Sequence, residues 1–487
     1  MINASLVLSV LCGFSSCKDE IESEIVEDNA KMQSLDVSDG TLRLGKKIPN
    51  PYSLKVVQQA YNELAEQSGL RSCETIAPTH LYLKFAPKNL EELRLLESDT
   101  TLYFYNYPLD VELIGEGGGY HDPSLPDSVP TYQYVCVPID HPLPEVEYEV
   151  LDEIYYEEDD EAELRSGRAI SWEQLEEKAY LLAGDSSIIS TPETRGSQWR
   201  ASGYLYYYDN DKYIKEPLVG VPVRMRYHLI TYQNCTDQNG YFKSEKKRRG
   251  DCKYSIEWKR DAFRIRPNTG WSTADYVIQE NTSSVNKTFY PDVNIYQWYY
   301  ATIFRGAHHY FYEYIYGLPR PENNMEIRAS NQGNQLGKAS IGKSTEIHIY
   351  RNNRHSQSIT ETVFHELTHS AHYDNTSLSF YTKTDTIIKD SWACAVAYVM
   401  TVDMYGSNSR GYDHKQYTGL MIDLMDDDIT FAKESIIGDY VKGYTLSGLW
   451  KVVKTFNSVK GFKANVINTF SNDKKQDLVD LFDHWGW

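Results

Sequence analysis

"STEIHIYRNNRHSQSITETVFHELTHSAHY", residues 344 to 373, is the stretch on which the reading of this chain turns. Residues 345 to 350 alternate apolar and polar side chains with a period of two, which predicts a strand. After a polar loop the apolar residues Ile359, Val363, Leu367 and Ala371 recur every fourth position, the spacing of a helix. Ser358 and Glu361 form an S-x-x-E pair at the head of that run, and such a capping box predicts that the helix starts there. His365, Glu366 and His369 then lie within one helix. Side chains four apart share a helical face, so two imidazoles can reach one divalent ion at the ~2.0–2.1 Å of zinc ligation. Glu366 stands beside such an ion, where it can take a proton from a water the ion acidifies and pass it to a leaving amine.

A catalytic site of this kind needs a third protein ligand and one open position. His372 continues the series as H-E-x-x-H-x-x-H, but lies about 10.5 Å from His365 along an unbroken helix, which suits a neighbouring or alternative role better than direct ligation. The strand, loop and H-E-x-x-H helix together resemble the zincin class of zinc metallopeptidases. In that class the strand forms the substrate-facing edge of a sheet, and the members that use a nearby third histidine place a helix-breaking glycine before it, where this chain has Ser370 and Ala371. The gluzincin type takes its third ligand from a second helix some twenty residues on, in a pattern Glu-x-x-Ala. "DSWA" (390 to 393) is similar to it, opening a predicted helix over 390 to 406, so the resemblance implies Asp390 as the third ligand. Aspartate is shorter than glutamate by one methylene, and the second helix must pack closer to compensate. One turn on, where some gluzincins carry an acidic residue that orients a zinc histidine, this chain has Cys394. The class also adds a Tyr or His that stabilises the developing oxyanion. Tyr398, Tyr405 and His414 are the candidates here.

Upstream, "NIYQWYYATIFRGAHHYFYEYIYGL" (294 to 318) predicts a long aromatic helix. It approaches the length of a membrane span, but Arg305, Glu313, His308 and His309 mark it as a buried or half-buried helix of a globular fold. Before it, from residue 201, short alternating strands are separated by turn chemistry. "PLVGVPV" followed by a strand and "TDQNGYF" is similar to the β-sandwich modules called carboxypeptidase regulatory-like or transthyretin-like domains, which implies a scaffold over 201 to 285. Residues 47 to 150, with a helical stripe at Leu54, Val57, Ala60, Tyr61 and Leu64, a strand in "THLYLKFAP", another in "TLYFYNYPLDVELI" and a Gly/Pro/Asp loop, predict a small α+β domain. Residues 151 to 200 read as an acidic, then polar, connector.

The first 17 residues read as a processing segment. "LVLSVLCGF" (6 to 14) is about half as long as a membrane span and is followed by "SSCKDE". This resembles a lipoprotein signal peptide, which implies lipidation at Cys17 and an acidic polar tether over 18 to 46. The protein is then expected outside the cytoplasm, periplasmic or anchored to the outer membrane or cell surface, with the lipid its only contact with a membrane. Of seven cysteines none forms a CxxC, so a cysteine zinc site is not indicated; Cys235 and Cys252 could pair or stay free.

With 487 residues the chain can hold several cores. A net charge of −20 argues against nucleic acid, whose phosphates require clustered Lys and Arg, and the one basic run (243 to 253) reads as a solvated hairpin tip. Forty tyrosines suit aromatic cores or polymer-gripping surfaces. The expectation is a multidomain α+β protein: a small N-terminal α+β domain, a central β-sandwich and a mainly helical zincin-like domain over 286 to 487 with a short sheet. Its expected activity is hydrolysis of a peptide or protein substrate with Zn2+ held by His365, His369 and Asp390 and with Glu366 as general base. The competing expectation is a surface lipoprotein that binds a polymer or protein and whose zincin-like domain is structural or inactive.

Overall fold

The computed structural model describes residues 42–70, 75–115, 117–157, 170–184, 199–248, 252–267, 271–278, 284–313, 316–330, 337–340, 346–350, 355–406, 419–425, 441–469 and 475–487. Cys17, Cys73 and His414 lie outside them. The fold is mixed α+β and divides into two compact units, one within residues 42–315 with 322–329, the other of 316–321 with 330–487. Among the described residues no helix is long and apolar enough to cross a membrane.

In the first unit, β1 (Arg43–Lys47) pairs antiparallel with β3 (Val111–Ile114), and β2 (His80–Phe85) lies between β4 (Gln133–Pro138) and β5 (Tyr148–Ile154). The strand expected over 101 to 114 is confined to β3: its earlier half holds Pro108, which has no N–H for a ladder, and turns Phe104, Tyr105 and Tyr107 into the core. Helices α1 (Leu54–Gln67) and α3 (Trp172–Ala183) pack together; α1 buries Val57, Ala60, Tyr61 and Ala65 along the expected stripe. Many of the tyrosines are core residues, and several of their hydroxyls find partners, which offsets the cost of burying a phenol. Tyr52 donates to Glu176 at 2.9 Å, and Tyr82 donates to Asp110 while accepting from the N–H of Leu109.

Two four-stranded sheets follow. In one, β6 (Ser202–Asp209) pairs with β7 (Ile214–Pro217), with β10 (Tyr241–Lys243) and, in parallel, with β14 (Ser284–Phe289). In the other, β8 (Pro222–Tyr227) lies between β9 (Ile230–Cys235) and β11 (Lys253–Glu257), and β11 also pairs β13 (Asp275–Ile278). Aromatic contacts join the two, with Phe242 against Tyr254 and Tyr276 against Phe289. Cys235 and Cys252 are both free thiols, and burial pushes the Cys252 thiol up to about 12. The basic run is less solvated than its composition suggests. Arg248 turns inward, its guanidinium over the rings of Tyr156 and Tyr232 and its Nε donating to the Tyr232 hydroxyl, because a flat cation is stabilised on aromatic faces.

The aromatic helix α4 (Ile295–Tyr312) belongs to this first unit. Trp298 donates to the carbonyl of Tyr208, Trp258 donates to Gln297, and Phe304 packs against Trp258 and Phe263. Helix α2 (Leu90–Glu97) ends at Glu97, which receives Arg264 and Arg266 from β12 (Phe263–Pro267); β12 runs parallel to β15 (Met325–Ser330), whose Glu326 binds Arg94 and Arg266.

The second unit is mainly helical. β16 (Gly337–Ser340) pairs antiparallel with β17 (Glu346–Tyr350), and α5 (Ser356–Asp374) lies against both strands and, most extensively, against α7 (Thr386–Tyr405). Between those two helices comes α6 (Leu378–Lys383); α8 (Leu420–Asp423), α9 (Leu446–Val453), α10 (Val459–Thr469) and α11 (Lys475–His484) follow. α7 is rich in fully buried alanine at 393, 395 and 397, and small side chains let helices approach closely. Trp392 of α7 stacks on Trp450 of α9, ring centres 5.8 Å apart. Gly406 ends α7 in a left-handed conformation at φ 73°, where a side chain would be strained.

Both helix starts fall earlier than expected. α5 begins at Ser356, so Ser358 lies inside the first turn; its hydroxyl has no partner among the described residues and its carbonyl accepts from Thr362 at 2.8 Å. No capping box forms. Ser356, Gln357 and Ser358 are all buried, and burial of the turn prolongs the helix past its sequence signal. α7 likewise begins at Thr386, which puts Asp390 in its second turn.

Candidate metal centre

α5 and α7 bring three donors together. His365 and His369, one turn apart on α5, face each other with their Nε2 atoms 3.0 Å apart, and Asp390 Oδ1 of α7 lies 3.4 Å from His369 Nε2. Ligand atoms of all three lie within 4.8 Å of one another. Around a tetrahedral ion with bonds of ~2.0–2.1 Å, neighbouring ligand atoms sit about 3.3 Å apart, and the 3.0 and 3.4 Å separations are close to that value.

The outer nitrogens of both rings are engaged. The Tyr381 hydroxyl lies 3.3 Å from His369 Nδ1, and Cys394 Sγ lies 3.7 Å from His365 Nδ1. Partners on Nδ1 fix the ring orientation and aim Nε2 at the common point. Burial holds the His369 imidazole well below its usual range, with His365, His372 and Lys389 adding to the effect, so its lone pairs stay available to a metal. Burial also pushes Asp390 up to about 7, against the pull of the Lys389 ammonium. Burial, then the charge of Asp390, pushes Glu366 up to about 8, opposed by a hydrogen bond from the backbone of Ala339. Two desolvated carboxyls beside two imidazoles make a donor set that a bound cation would satisfy.

The remaining expected residues are placed as follows. His372 is 1% exposed, its ring 5.0 Å from that of Tyr381 and 5.6 Å from that of Trp450, and neither ring nitrogen has a partner among the described residues. Burial pushes its imidazole down to about 3. It occupies an aromatic box beside the centre and is not among the three grouped donors. Tyr398 and Tyr405 are about 12 and 22 Å along α7 from Asp390. Tyr405 reaches the start of α5, its hydroxyl 3.4 Å from that of Thr360. The tyrosine that the fold brings to the site is Tyr381, on a short helix that no spacing in the sequence marks.

Compared with known proteins, the sequence matches no family model and no curated protein.

Proposed function

We propose that this protein is a zinc-dependent peptidase that acts outside the cytoplasm, with His365, His369 and Asp390 as metal ligands and Glu366 as general base. The observation that carries the reading is the convergence of two imidazole nitrogens and one carboxylate oxygen, from two helices, within 4.8 Å of one another. The chemistry such an ion supplies when bound is a more acidic water and a polarised carbonyl. The chain's own residues supply the rest. Glu366 follows His365 directly, and its low-polarity surroundings raise its proton affinity into the range useful to a base near neutral pH. Tyr381 and Cys394 orient the ligating rings, and His365 keeps partial exposure to solvent. The substrate class is a peptide or protein, and the proposed lipid anchor at Cys17 would hold the enzyme at a membrane surface.

Glu366→Gln tests the reading. It should keep one zinc per chain and lower hydrolysis of a peptide library by about 10²–10⁴-fold. Turnover equal to wild type would overturn it and favour a binding protein with a structural metal domain. Asp390→Ala should lower zinc occupancy; if His372→Ala does so instead, the third ligand is misassigned.

A further inference from the structure

Strand β16 crosses the helix that bears the proposed base at unusually short range. An ideal Cβ built on Gly337 would lie 2.6 Å from Oε1 and 2.7 Å from Cγ of Glu366, and 2.7 Å from Cγ2 of Thr362. Real Cβ atoms essentially never approach other heavy atoms within 3.0 Å, so any side chain at 337 must displace something. The backbone at 337 is not left-handed, so glycine is needed here for space rather than for conformation. Two residues along the same strand, the backbone of Ala339 hydrogen-bonds the Glu366 carboxylate. Thr362 and Glu366 are four apart on α5, so both present one face to β16. The base is 5% exposed, and the strand is part of what covers it.

We infer that Gly337 is a positioning residue for Glu366: its missing side chain lets β16 lie flat against the carboxylate, so that the N–H of Ala339 sets where that carboxylate points. This rests on the reading of Glu366 as general base, but the contact itself does not. A carboxylate held by one fixed backbone donor is aimed before substrate arrives, and a misplacement of about 1 Å in such a group costs on the order of 100-fold in rate. Gly337→Ala would move the carboxylate by that order without touching a metal ligand.

The test uses the full chain and four proteins: wild type, Gly337→Ala, Glu366→Ala and the double variant. Melting temperature, zinc content and peptide hydrolysis are measured for each. The expected result is a clear fall in melting temperature for Gly337→Ala that becomes much smaller in the Glu366→Ala background, where two of the three colliding atoms, Oε1 and Cγ of Glu366, are absent and only Cγ2 of Thr362 remains. Hydrolysis by Gly337→Ala should fall about 100-fold through kcat, with KM and zinc content near wild type. Additive losses in melting temperature would overturn the inference, since Gly337 would then not act through Glu366. So would a wild-type kcat in Gly337→Ala, or a fall in kcat that only follows loss of zinc. If wild type hydrolyses no peptide, the proposed function fails while the coupling in melting temperature still decides the contact.

Discussion

His372 carries two buried ring nitrogens without a partner among the described residues, in a box formed by Tyr381, Phe380 and Trp450. An unsatisfied buried polar atom costs about 1–3 kcal/mol, so an apolar ring of similar volume should be tolerated there. His372→Phe is therefore expected to keep or raise the melting temperature. His372→Ala should lose about 2–4 kcal/mol through the cavity it leaves, measured by denaturant unfolding. Both should retain stoichiometric zinc, and metal loss in the phenylalanine variant would return His372 to the ligand set. The sequence shows His372 three residues from a proposed ligand and no more. Its isolation from the site comes from Tyr381 and Trp450, which are 9 and 78 positions away and invisible to any local pattern.

At the level of elements, the contact between α5 and α7 decides whether Asp390 can reach the histidines. Cys394 marks the face of α7 that touches α5, since its sulfur lies against His365 Nδ1. Cys394→Leu adds bulk to a closely packed seam, which costs about 1–3 kcal/mol. Because the seam also fixes the separation of Asp390 from His369, zinc affinity should fall with stability, read by competition with a chelator. Unchanged affinity would mean that Asp390 does not depend on the seam. The elements themselves were largely legible. Period-two and period-four patterns reproduce β17, α5, α1 and α4, because each buries one side of a regular structure. Their starts were not, since the first turns of α5 and α7 are held by tertiary burial and α5 ignores the Ser358–Glu361 signal.

For the whole molecule, the division into two compact units places all three proposed ligands in one of them. A metal that binds only the folded form stabilises it by about 2.7 kcal/mol at a free concentration one hundred times its dissociation constant. Calorimetry is expected to show zinc raising one unfolding transition, that of the unit containing residues 330–487, and chelation lowering it, with the other unmoved. A uniform shift of both would contradict a site confined to that unit. Protons give a complementary probe of the other unit. Burial, assisted by Arg260, pushes His308 down to about 4. Between about 6.5 and 4 the unfolded chain then binds a proton that the folded chain does not. The contribution of His308 is complete above about 6.5 and is lost as pH falls towards 4. Over that window the stability of His308→Phe should change with pH less steeply than wild type, by about one proton. Equal slopes would show that His308 protonates alike in both states.

By itself the sequence determined that α5 exists, that it aligns His365 and His369 one turn apart, and that a second helix follows with Asp390 21 residues after His369. These are consequences of helical periodicity and chain distance, which are local. The tertiary structure alone decided that Asp390 Oδ1 comes within 3.4 Å of His369 and that Tyr381 and Cys394 take the outer ring nitrogens. It also decided that Gly337 passes against Glu366, and that α4 packs with the β-sheets of the first unit. Each of these depends on which buried faces meet, a choice made by packing among residues far apart in the chain and not written in the spacing of any one segment.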